Sequence, residues 1–305
     1  MSVTNNNQED FPIYRIMSIY EFYELYVNHK LKLTLFDNQK DKNDGIEYLL
    51  TELIFNPFKY VEGNNAFNKL KNFRKNNYMT CWTKNSESIA MWSLYSTNLE
   101  SIRVRTTKEK LSSCLIKFIK DNHLDSQWER PSQKLVTEFH LFDDPIQEAE
   151  YKDLRKLISE IKEDKPPTDN VPEEKHTEIL INWIKELENK YSYLYKNPVK
   201  DESYSYEQEI RGRVKVGLNV LEQYKTYEEW MSSHNNEKPI RDNQNTLPLV
   251  QYADTKSDFI DEICFDPRMP SYKKNSIIDM MKIDKTKIVE SKCFTPAIDL
   301  EFNLF

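Results

Sequence analysis

Only four glycines occur in the 305 residues: Gly45, Gly63, Gly212 and Gly217. Glycine is what lets a backbone turn sharply and come close to a phosphate, so a Gly-rich Rossmann or P-loop cradle is excluded. Any nucleotide must be held by side chains and ordinary loops. The apolar share is low at 38%, but 18 Tyr, 15 Phe and 5 Trp supply large rings from which a core can be built. Disorder of the whole chain is excluded on the same ground.

The element pattern is mixed. A loose arm is expected over residues 1–10, followed by a strand over 11–17. Ser18 to Glu21 has capping-box spacing and opens a helix carrying Phe22, Tyr23 and Tyr26. Strand patterns follow at 31–36, 78–83, 101–105, 134–142, 206–217, 259–265, 286–290 and 299–304. Helical patterns cover 46–55, 64–75, a segment capped by Ser86, 107–120 and 271–283. Met91, Trp92 and Tyr95 read as core at helical spacing. Ile179, Leu180, Trp183, Ile184, Leu187, Tyr191 and Leu194 form an apolar stripe, and 162–175, with three prolines, reads as an exposed connector. This order predicts an α+β fold: a single domain over 11–305 with a mixed or antiparallel sheet, surrounding helices and a helical insertion at about 145–197.

The formal net charge of −7 argues against a broad basic face for duplex nucleic acid. Cys81, Cys114, Cys264 and Cys293 show no CxxC spacing and the histidines no HExxH, so no metal is expected. No run reaches the ~18 apolar residues of a membrane span. Residues 1–10 lack the charged-then-apolar order of a signal peptide. The expected location is cytoplasmic, with no membrane partner.

The chemistry-bearing segment is Tyr204 to Arg213, with Glu207 and Glu209 two residues apart. If this segment is a strand, Glu207, Glu209 and Arg211 share one face, because side chains alternate along it. Such a pair is either a solvated face salt-bridged by Arg211 and Arg213, or a site acting on something positive or polar.

Several islands, taken in order, resemble a bacterial family of unknown function numbered 2971. They are Tyr14-Arg15, Lys32 to Leu35, Asn43 to Glu47, Cys81 to Thr83, Met91 to Tyr95, Lys200, and Tyr206 to Arg211. The chain departs from the family pattern at Trp82-Thr83, at Leu94 and around Glu100-Ser101. More remotely, the order Arg15, Thr83, Glu209 resembles the ADP-ribosyltransferase-like fold. That resemblance implies NAD as co-substrate and a toxin or anti-phage defence effector. Glu209 would stabilise a ribosyl cation and Glu207 take the nucleophile's proton. Arg15 would hold the pyrophosphate or a ribose oxygen, Thr83 would position the ribose, and Tyr14 or Trp82 would stack on a ring. The implied partners are NAD or a related nucleotide, a protein or nucleic-acid acceptor, and an antitoxin or operon partner. Two alternatives stand beside this reading. One is a non-catalytic nucleotide-sensing or protein-interaction module. The other is a metal-dependent nuclease using Asp37, Asp44, Glu207 and Glu209. Arg15 pairing with a carboxylate such as Asp44 is the plainer reading of that arginine.

Overall fold

The computed structural model describes residues 10–39, 41, 43–55, 73–96, 98–122, 135–138, 145–164, 172–218 and 247–294. In chain order the elements begin β1 (Pro12–Ser18), α1 (Ile19–Tyr26), β2 (Lys30–Leu35), α2 (Ile46–Phe55), β3 (Asn77–Thr83), α3 (Ile89–Tyr95), β4 (Ser101–Thr107) and α4 (Lys108–Asn122). Next are β5 (Leu135–Glu138), β6 (Ile146–Glu148), β7 (Glu150–Lys152), α5 (Leu154–Glu163), α6 (Glu173–Lys190), α7 (Tyr193–Lys196) and β8 (Val199–Asp201). β9 (Glu209–Leu218), β10 (Val250–Asp254), β11 (Glu262–Phe265) and α8 (Ser271–Met281) complete the order. The fold is α+β with extensive antiparallel pairing, as the mixed element order predicts. No helix among the described residues is long and apolar enough to cross a membrane.

The chain divides into two compact units. The first comprises Met1–Lys32, Cys81–Cys114 and Tyr252–Phe305. Here β1 pairs antiparallel with β4 along its whole length, from Pro12↔Thr107 to Ser18↔Ser101. Its other edge meets β3 at Tyr14↔Thr83, and β4 is flanked beyond by β11. Ser18 caps α1 as its spacing predicts, accepting the Glu21 N–H at 3.3 Å. α1 and α3 both pack on β1. Ile13, Met17, Phe22, Ile102, Val104 and Trp92 are buried together with residues of β11 and α8.

The second unit comprises Leu33–Thr80 and Leu115–Gln251. β9 pairs antiparallel with β5 (Leu135↔Leu218) and β6 (Ile146↔Gly212), while β7 and β8 pair parallel. The apolar stripe of α6 does what its period predicts. Trp183, Leu187, Tyr191 and Leu194 pack with Leu50 of α2 and with Leu157 and Ile161 of α5. Gly212 sits where β9 is crowded. A Cβ there would lie 2.6 Å from Leu115 Cδ1 and 2.9 Å from Thr80 Cγ2, so only a hydrogen fits without rearrangement.

Several expectations need correction. The strand expected over 206–217 starts at Glu209; Glu202–Glu207 is a 3-10 turn ended by Gln208 in the left-handed region. The helix expected from Ser86 is capped by Ser88, whose hydroxyl accepts the Met91 N–H at 3.2 Å. Met91 and Trp92 are core, but Tyr95 is exposed. The expected strand over 286–290 is a 3-10 turn at Lys285–Lys287 followed by a single bridge, Ile263↔Ile288. The stretch from 145 opens with β6 and β7 and turns helical only at Leu154. The expectations for 1–9, 64–72, 165–171 and 299–304 lie outside the described residues.

Candidate functional site

In the second unit three of the sequence islands meet. The Asn43 to Glu47 island forms a turn closed by the Ile46 N–H on the Asn43 carbonyl at 2.9 Å, with Gly45 at φ 85°. A side chain at Gly45 would be strained at that angle. Asp44 faces Arg211 of β9, whose Nη2 donates to its Oδ1 at 2.5 Å. The same guanidinium forks onto Glu209, with Nε to Oε1 at 3.0 Å and Nη2 to Oε2 at 3.1 Å. Lys200 of β8 closes the cluster, donating to Glu207 Oε2 at 2.5 Å and to Glu209 Oε2 at 3.1 Å.

Glu207 and Glu209 therefore do project together, but not through strand alternation. Glu207 ends a 3-10 turn, Gln208 reverses the backbone at φ 42°, and Glu209 begins the strand. The ammonium of Lys200 draws the two carboxylates together. Neither is solvated: each is 5% exposed, and Arg211 is wholly buried. Arg211 salt-bridges Glu209, one member of the pair, as the plain reading predicts, but Arg213 does not. It turns to Glu47 instead, at 2.8 Å.

Surrounding groups hold the cluster in place. Arg74 donates to the Asp44 carbonyl at 2.7 Å and the Phe36 carbonyl at 3.1 Å. The Tyr151 hydroxyl accepts the Glu209 N–H at 2.7 Å, and burial pushes its pKa up to about 12. The Tyr204 ring lies 4.6 Å from Lys200 Nζ, close enough for cation–π attraction. Burial raises the Asp44 carboxyl above its ordinary range against the pull of Arg211. For Lys200, burial works to lower the ammonium pKa, but the Glu209 and Glu207 carboxylates outweigh it and the net shift is upward.

A raised lysine contributes stability fully below its unfolded value of 10.5 and loses it as pH climbs through the elevated folded value. Lys200→Met is therefore expected to cost the same stability across the neutral range, with the cost shrinking only above pH 10.5. Urea denaturation at a series of pH values measures this. A cost that disappears at neutral pH would mean that the ammonium is not the bridging species.

The cluster includes three of the four acids of the nuclease reading, Asp44, Glu207 and Glu209, while Asp37 lies 3.8 Å from Arg74. Lys200 stands between Glu207 and Glu209, and Arg211 between Glu209 and Asp44. Each occupies with its own charge the place a divalent cation would need, so this donor set does not fit a metal. Among the described residues no group of three acidic, Cys or His side chains could hold one.

The other predicted residues belong to the first unit. Arg15 pairs with Glu21 at 2.5 Å, and its guanidinium lies 6.0 Å from the Trp82 ring centroid. Trp82 is buried and its ring makes a T-shaped pair with that of Phe259. Thr83 accepts the Asn85 N–H at 2.9 Å, and Arg103 lies over Tyr14 at 5.3 Å. Sequence reasoning missed Arg74 and Tyr151. Both act through backbone groups, and no local pattern marks such contacts.

Comparison with known protein families found no match, and none was found among curated proteins or solved structures.

Proposed function

We propose that this chain is a non-catalytic nucleotide-sensing module in which Glu207 and Glu209 form a structural ion cluster. The observation that carries the non-catalytic part is the Lys200 bridge. An acid that is to stabilise a developing cation must have charge to offer in the transition state. Both oxygens of Glu209 already accept from Arg211 or Lys200. The nucleotide part rests on the ordered islands and their remote resemblance to the ADP-ribosyltransferase-like pattern. One observation favours the competing reading, an NAD-consuming toxin or anti-phage effector: the two carboxylates share one ammonium, so withdrawal of Lys200 would take a cation from both at once, leaving Glu209 on the Arg211 fork.

Isothermal titration with NAD, followed by chromatography of the same sample for nicotinamide, separates the readings. The expected result is binding without release. In parallel, Glu209→Gln is expected to lower stability by about 3 kcal/mol, because it takes a charge out of a buried ion cluster. Nicotinamide release that vanishes in Glu209→Gln overturns the non-catalytic reading. No binding at millimolar NAD overturns the nucleotide reading and leaves a protein-interaction module.

A further inference from the structure

A cleft of about 250 Å³ opens in the first unit between the end of α1, the loop joining β10 to β11 and the turn after α8. Its floor is apolar, formed by the buried Leu25, Phe259 and Ile260. Its rim carries Lys256, Lys287 and His29, with Ser257 exposed beside Lys256.

Three hydrogen bonds tie the walls together. Thr255 N–H donates to the His29 carbonyl at 2.8 Å, Asp284 N–H to the Tyr26 hydroxyl at 2.9 Å, and Lys287 Nζ to the Ile260 carbonyl at 2.7 Å. A cleft cross-linked in this way keeps its shape when empty, so a ligand meets little ordering cost. His29 is held at φ 53°, a left-handed conformation that side-chain-bearing residues seldom adopt.

The acid at the rim is engaged elsewhere. Asp284 Oδ1 accepts from the Thr286 hydroxyl at 2.7 Å and the Thr286 N–H at 2.9 Å, and these bonds hold it below the usual carboxylate range. Two ammonium groups and an imidazole thus face a single carboxylate already turned into its own loop. We propose that this cleft binds a small organic anion: one phosphate or carboxylate head on a single aromatic or apolar body. The head sits at Lys256 and Ser257, and the body lies over Leu25 and Ile260 beside Tyr26. This inference does not depend on the ion cluster of the second unit.

Phenyl phosphate is the probe and benzyl alcohol its uncharged control, read by amide NMR on the full chain. Phenyl phosphate is expected to shift the His29, Ser257 and Ile260 amides and to saturate. Benzyl alcohol is expected to bind about tenfold more weakly. Lys256→Glu is expected to weaken phenyl phosphate about tenfold, and Ser257→Trp, which fills the mouth, to abolish its binding. Both substitutions fall at exposed positions, and unshifted amides elsewhere report an intact fold. Equal affinity for the two probes, unchanged binding in Lys256→Glu, or cleft amides that never move each overturns the proposal.

Discussion

Arg211→Ala is expected to destabilise the protein by about 3–5 kcal/mol, the range for removing one partner of a buried ion pair. Arg211 is wholly buried and bridges Asp44 to Glu209. Its loss strands two carboxylates in a region too dry to hydrate them. Lys200 can still neutralise Glu209, but its pull on Asp44 is weaker than that of Arg211. Burial already raises the Asp44 carboxyl, and without the guanidinium the lesser pull of Lys200 is left to oppose it. The pairing also makes a prediction about coupling. Arg211→Met with Glu209→Leu should cost less than the sum of the two single changes, because the second change removes a charge that the first leaves exposed to burial. Urea denaturation of the four proteins measures the coupling. Additive effects would mean that the guanidinium fork contributes no specific interaction, and the structural account of the acid pair would then fail.

The second large effect is expected in the first unit. Trp92→Ala should cost about 3–5 kcal/mol through the cavity left by the largest side chain in that core. Trp92 is fully buried on α3 against Cys264 and Cys293, with Ile16 and Val289 packed at the margin. The backbone around it is engaged as well: Arg268 Nη2 donates to the Trp92 carbonyl at 3.2 Å and bonds Asp266 Oδ2 at 2.8 Å. Truncation therefore empties a space whose walls are anchored and cannot collapse into it. Trp92→Phe, which keeps a ring, should cost clearly less. A loss below about 1 kcal/mol in Trp92→Ala, measured by denaturant midpoint, would show that the site relaxes freely.

These effects bear on how the acid pair is read. A Glu-x-Glu spacing can mark a catalytic face or a solvated one, and here the pair is not solvated. The pair is buried and balanced by Lys200 of β8 and by Arg211 of its own strand. Lys200 and Asp44 stood within the islands already visible in the chain, yet nothing in their spacing shows that Asp44 meets Arg211, 167 residues away. Arg15 illustrates the same limit from the other side. Its partner is Glu21, six residues on, although a distant acid was an equally reasonable expectation.

What the sequence determined by itself was local. The Ser18 cap, the apolar stripe that runs through α6, the strand β4 and the α+β class follow from side-chain period and capping chemistry, which operate within a few residues. The scarcity of glycine likewise excluded a Gly-rich phosphate cradle without reference to any fold. Only the tertiary structure decided the state of the charges. Whether Glu209 is free, hydrated or paired depends on how β8 presents Lys200, nine residues back, and on which turn supplies Asp44. The local segment misled at the same point, since the left-handed Gln208 breaks the strand between the two acids. A carboxylate's role is set by its dielectric surroundings and by how the fold presents the opposite charges around it, and neither is read from local spacing alone.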